Sequence, residues 1–152
     1  MANIMHKVGI RAPLAQVYAA VATTQGVAGW WSEETTGASE PGGRIDVHFR
    51  KPDGEILGGM GMRVTQLAPD SEVRWRFESG PDEWIGTDAV FKLSRDGDYT
   101  VVLFSHENWR EQVEFMAHCS TKWATFMMSL KDYVETGKGR PAPHDVKIDN
   151  WN

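Results

Sequence analysis

Residues 110–136, REQVEFMAHCSTKWATFMMSLKDYVET, decide the fold. The stretch contains neither proline nor glycine. Its apolar residues return through Val113, Met116, Ser120, Trp123, Met127, Leu130 and Val134, with a second row at Phe115, Cys119, Phe126 and Tyr133. That spacing is one long amphipathic helix with a wide apolar stripe, about 40 Å at ~1.5 Å per residue. Gly137 is placed to end it. Residues 138–152, with Pro141 and Pro143, read as a tail lying on the surface, so the chain divides into a domain at 1–137 and a tail at 138–152.

Before the helix the period changes to two. Val73, Trp75 and Phe77 alternate with Glu72, Arg74, Arg76 and Glu78, the pattern of a strand with one face buried. Ile45, Val47 and Phe49 alternate in the same way, and Pro52, Asp53 and Gly54 then turn the chain. Met60, Met62 and Val64 mark one face of the next strand. Gly80, Pro81 and Asp82 lead into a strand through Ile85, Thr87, Ala89, Phe91 and Leu93. Arg95-Asp96-Gly97-Asp98 is a hairpin signal, and its partner strand carries Thr100, Val102, Phe104, His106 and Asn108 on one face. At the other end, residues 4–10 form a strand that stops at Pro13, a helix follows to about Thr23, and a second short helix covers residues 24–30. One strand, two short helices, five or six antiparallel strands and a long closing helix make an α+β helix-grip arrangement, a curved sheet wrapped around the C-terminal helix. A curved sheet does not close fully on a straight helix, so a cavity is expected beneath it.

These elements come in the order and spacing of a known superfamily. Ile10-Arg11-Ala12-Pro13 before Val17-Tyr18-Ala19-Ala20-Val21, the Trp30-Trp31 pair, Gly42-Gly43-Arg44-Ile45, Leu67-Ala68-Pro69 before Val73-Arg74-Trp75, the strand from Thr100 to His106, and Lys122-Trp123 with Ser129-Leu130-Lys131-Asp132-Tyr133 carry the resemblance. Over roughly residues 4–137 the chain resembles the START-like (SRPBCC, birch-pollen-allergen-like) superfamily, in the branch named for activators of the heat-shock-protein-90 ATPase. Many members have glycine two residues after the histidine of the last strand, where this chain has Asn108, so the turn into the closing helix is expected to differ. The resemblance implies the helix-grip fold and leaves the activity open, because relatives include lipid carriers, hormone receptors, aromatases and cyclases.

The candidate site follows from the pattern. Met60, Met62, Trp75, Phe77, Phe91 and Phe104 from the sheet and Phe115, Cys119, Trp123 and Phe126 from the helix form either an apolar aromatic pocket or an ordinary core. His106 and Asn108 offer polar contacts to a ligand, with Thr87 beside them; the alternative is a core histidine satisfied by Thr87 or a carbonyl. Trp30 and Trp31 stand in a segment, residues 26–37, that otherwise reads as a loop, and are expected either at the mouth of the cavity as a lid or packed on the sheet as core.

Other chemistry is thinly supplied. One cysteine, Cys119, excludes an internal disulfide framework and a cysteine-cluster zinc site, and it reads as a small buried hydrophobe. The five histidines have no paired ligand spacing, and His118 falls on the solvated face of the helix. No metal or other cofactor is implied. A net charge of −5 with both signs interspersed points away from nucleic acid. With 152 residues the chain buries roughly 70% of the surface its unfolded form exposes, and it carries an unusual load of seven tryptophans and seven methionines. No apolar run is long enough to enter a bilayer, the amino terminus lacks a signal-peptide pattern, and a cytoplasmic location is expected. Three functions stand: binding of a small hydrophobic or aromatic molecule in the cavity, docking as a cochaperone that stimulates the heat-shock-protein-90 ATPase, and a cyclase or aromatase that uses His106. An exposed edge strand and Trp151 leave room for a homodimer.

Overall fold

Seven antiparallel strands form one sheet in the order β1-β7-β6-β5-β4-β3-β2. In the computed structural model, which describes residues 2–51 and 53–152, the elements are β1 (Ala2–Ile10), α1 (Leu14–Ala22), α2 (Thr24–Trp30), β2 (Glu34–Gly37), β3 (Arg44–Arg50), β4 (Ile56–Ala68), β5 (Glu72–Ser79), β6 (Asp88–Asp96), β7 (Tyr99–Trp109) and α3 (Glu114–Thr136). This is the helix-grip arrangement: the sheet curves around α3 and the two short helices. Met1 and Pro52, part of the expected turn at Pro52, Asp53 and Gly54, lie outside the described residues.

The alternation does what its period demands. On β5, Val73, Trp75 and Phe77 are buried while Arg74 and Arg76 reach the opposite face, where both pair with Asp88. The hairpin from β6 to β7 turns at Gly97, whose φ of 59° is one a side chain would strain. The inward faces of β5, β6 and β7 meet Trp123, Phe126, Met127 and Leu130 of α3 in one core cluster. Gly137 ends α3 in the left-handed region (φ 86°), and its N–H caps the Tyr133 carbonyl at 2.9 Å.

Four local expectations change. Glu34–Gly37, read as loop, is the edge strand β2, paired with β3 from Glu34↔His48 to Gly37↔Ile45. The closing helix begins at Glu114 rather than near residue 110, because Val113 is still extended (φ −125°, ψ 167°) and the chain must leave β7 first. Strand β6 starts at Asp88; Ile85 is exposed in the preceding turn. The tail does more than lie on the surface. Ala142 is 3% exposed, its N–H donates to the Trp31 carbonyl (2.8 Å), and its carbonyl accepts from the Glu33 N–H (3.0 Å).

Candidate functional site

Along α3 the grip has two sides. Toward β5, β6 and β7 it is filled. Toward β3, β4 and the tail it leaves a cavity of about 500 Å³.

On the filled side His106 is fully buried. The Trp123 indole Nε1–H donates to its Nδ1 at 3.1 Å, and its Nε2 lies 2.7 Å from Thr87 Oγ1. Thr87 spends its own proton on the Trp84 carbonyl at 2.5 Å, so its oxygen must accept from His106. The imidazole is therefore neutral with its proton on Nε2. Desolvation pulls its pKa down to about 3 against a small opposing effect of the Asp88 charge. Both ring nitrogens are committed, and the rings of Phe77, Trp84 and Trp109 stand 4.7 to 5.2 Å from it. This is the satisfied core histidine, with Thr87 as its partner.

Trp30 and Trp31 are core too, at 0% and 1% exposure. The Trp30 indole donates to the Ala20 carbonyl at 2.9 Å, and Trp31 lies nearly parallel to Trp75 (5.9 Å, 7°) and against Trp123 (5.1 Å). The lid expected at residues 26–37 is thus a pinned segment: the tail pairs with the backbone of Trp31 and Glu33, and Ser129 Oγ donates to the Trp30 carbonyl (2.8 Å). Trp31 nevertheless forms the inner wall of the cavity, whereas Trp30 does not reach it.

Of the other candidates, Met60, Phe115, Cys119, Trp123 and Phe126 line the cavity. Met62, Trp75, Phe77, Phe91 and Phe104 are in the filled core. Asn108 leaves the inward face altogether. Its φ of 74° flips the strand alternation, its N–H donates to Asn3 Oδ1 (3.0 Å), and its side-chain amide turns to Asp88 (3.5 Å), whose carboxylate sits on the arginine face of the sheet. The position where relatives have glycine needs a left-handed backbone, and asparagine is the side chain that tolerates it best.

The cavity also has walls that the strand and helix patterns did not indicate. Phe49, Trp84 from the turn before β6, and Gly58, Gly59 and Gly80, which bring no side chains, line it as well. A Cβ at Gly58 would meet no atom within 4 Å. The tail adds Trp151 and Asn152. It is held by Lys122, whose Nζ donates to Asp145 Oδ2 (2.5 Å) and the Val146 carbonyl (2.8 Å), and by His118, whose Nδ1 lies 3.0 Å from Asp149. His118 is therefore not on a solvated face: its ring packs 4.5 Å from Trp151 and stacks on Phe115. Burial alone would raise the Asp145 carboxyl, but the hydrogen bonds and charges of Lys122 and Lys147 outweigh it and hold the group below its usual range. Burial pushes the Cys119 thiol up to about 12, partly offset by the Trp84 indole, so this sulfur is a neutral wall rather than a nucleophile. Among the described residues no cluster of His, Cys, Asp and Glu could hold a metal ion, and no helix is long and apolar enough to cross a membrane.

A family model described as Activator of Hsp90 ATPase homolog 1-like protein matches residues 11–135. No curated protein matches the chain. Among solved structures, the Aha1 dimer from Colwellia psychrerythraea is 41% identical with a TM-score of 0.79, over 91% of this chain and 100% of that one. Protein SSP2350 from Staphylococcus saprophyticus is 16% identical (TM-score 0.71; 91% of this chain, 95% of that one). CalU16 from Micromonospora echinospora is 19% identical (TM-score 0.66; 93% and 77%). The last two share the fold alone. The family match spans most of the length of the fold, from the start of α1 to the last turn of α3, and the chain belongs to the Activator of Hsp90 ATPase homolog 1-like family.

Proposed function

We propose that this protein binds a small, largely apolar aromatic molecule in the cavity between β3, β4, α3 and the tail. The observation that carries this reading is the cavity itself: about 500 Å³ with aromatic walls at Trp31, Trp84, Trp123 and Phe126, beside a sheet face whose aromatic side chains are buried. A filled core of this size does not keep such a space for stability, since each unfilled volume forfeits dispersion contacts. The cyclase reading loses its support, because His106 has no free nitrogen and does not line the cavity. Native mass spectrometry of freshly purified protein, followed by tryptophan quenching with polycyclic aromatics, tests the reading. Saturable quenching that weakens when Gly58→Leu narrows the cavity is the expected result, and flat titrations throughout would overturn it.

Family membership favours a second reading, docking on heat-shock protein 90 with stimulation of its ATPase. Unchanged ATP turnover by the purified chaperone in the presence of this protein would remove it. The Colwellia protein is described as a dimer, and by that likeness we extend a homodimer to this chain, to be checked by sedimentation velocity.

A further inference from the structure

Among the described residues, the polar side chains around the cavity include a buried ammonium and no aspartate or glutamate. Lys122 is the charged side chain among them, 8% exposed, with its ammonium 5.2 Å from the centroid of the Phe126 ring. It has three N–H bonds and two acceptors, Asp145 and the Val146 carbonyl. Asp145 is itself shared with the exposed Lys147 through its other oxygen (3.1 Å), so Lys122, Asp145 and Lys147 together carry one net positive charge. The Trp84 indole N–H is buried and faces the Cys119 sulfur, its nearest acceptor. Among the described residues that line the cavity there is no aspartate or glutamate, in a chain whose net charge is −5. Of the other ionisable groups of the wall, His118 is paired with Asp149 and Cys119 is a neutral thiol.

Resting on the cavity reading above, we propose that the molecule taken up is a planar aromatic acid, its rings against Trp31, Trp123 and Phe126 and its acidic oxygen on the ammonium of Lys122. The geometry of Lys122 over Phe126 puts a cation at the edge of the aromatic wall, where a ring substituent ends. A wall of aromatics alone would reject a carboxylate, because an anion leaving water for an apolar site needs a hydrogen-bonded counter-charge. Lys122 supplies it, and the sign of the selectivity follows.

Two probes of the same shape read that sign at pH 7.5: anthracene-2-carboxylate and 2-methylanthracene, followed by energy transfer from the cavity tryptophans. A charge-assisted hydrogen bond in a sheltered site predicts that the acid binds at least about tenfold tighter than the methyl compound. Lys122→Met is expected to abolish or reverse that preference while the methyl compound still binds. Because this variant leaves Asp145 without its main partner, Lys122→Met/Asp145→Asn is measured beside it, with a circular dichroism melt of each. Equal or tighter binding of the methyl compound by the wild-type protein would overturn the inference and leave the cavity reading standing. An acid preference that survives in the Lys122 variants overturns the assignment to Lys122. Failure of both probes to bind would remove the cavity reading itself, and this inference with it.

Discussion

The two sides of α3 are built from the same residue types and end in opposite states. On the β5–β7 side, Trp75, Phe91 and Phe104 interlock with Trp123 at ring separations of about 5 Å or less between Trp75 and Phe91 and between Phe104 and Trp123, and every one is 2% exposed or less. On the β3–β4 side, Phe49 and Met60 are only half-buried, and two of the four β4 residues before Met60 are glycine. The packed side satisfies its histidine internally, through the chain from Trp123 to His106 to Thr87, while the Trp75 and Trp109 indole N–H groups stay without a hydrogen-bond partner. The open side keeps an ammonium, Lys122, at its wall and relies on an irregular tail for part of its lining. Aromatic content alone therefore does not distinguish core from cavity; the distinction lies in what faces it.

The largest effect expected from breaking this contrast is on the packed side. Trp75→Ala removes an indole enclosed by Trp31 and Phe91, where the surroundings have little room to collapse, and is expected to cost about 3–5 kcal/mol in a denaturant melt. A loss no larger than that of an exposed substitution would mean that the packed side is as adaptable as the open one.

The pH dependence of stability sharpens the same contrast. His106 stays neutral until about pH 3 in the folded protein, whereas in the unfolded chain it takes up a proton below its ordinary value of 6.5. Between those values the unfolded state binds more protons, so stability falls as pH falls, by up to about 1.4 kcal/mol per pH unit from this residue. The carboxylates held low by their partners, Glu135 and Asp145 among them, act in the same direction only at lower pH. Comparing wild type with His106→Gln between pH 6.5 and 5 isolates the histidine: the variant is expected to lose most of the slope, and an unchanged slope would show that the imidazole is not the group involved.

Much of this was legible in the chain. Alternation at Val73, Trp75 and Phe77 and the one-turn spacing of Trp123, Phe126 and Leu130 are consequences of which residues must leave water, and both the strands and the grip follow from them. What was not legible depends on docking. Glu34–Gly37 has no buried face, so its pairing with β3 leaves no hydrophobic period. Asn108 breaks an alternation that it continues in sequence, because one positive φ reverses the direction of the side chain; the missing glycine of the family pattern was the available signal. Lys122 and His118 look like solvated residues of a helix until the tail covers them, and nothing in residues 138–152 has a period that announces where they will lie. Trp84, hidden in a turn after Pro81, had no signal beyond the size of its side chain.

The smallest expected effect is at Met60, and it decides most about the open side. Met60 is on the buried face of β4, opposite Val47, yet it lines the cavity, so part of its side chain already lacks neighbours. Truncation to alanine there removes few contacts and enlarges a space that exists, instead of creating one in a close-packed wall. The cost is therefore expected below about 1 kcal/mol, against roughly 2–5 kcal/mol for a methionine or leucine deleted from a filled core. Met62, two residues along the same face and 0% exposed, is the internal control. Melts of Met60→Ala and Met62→Ala in parallel compare one residue type, one strand and one face, with only the cavity between them. Equal losses at the two sites would mean that the space beneath Met60 is closed in solution, and the open side would then be a second core rather than a place for a ligand.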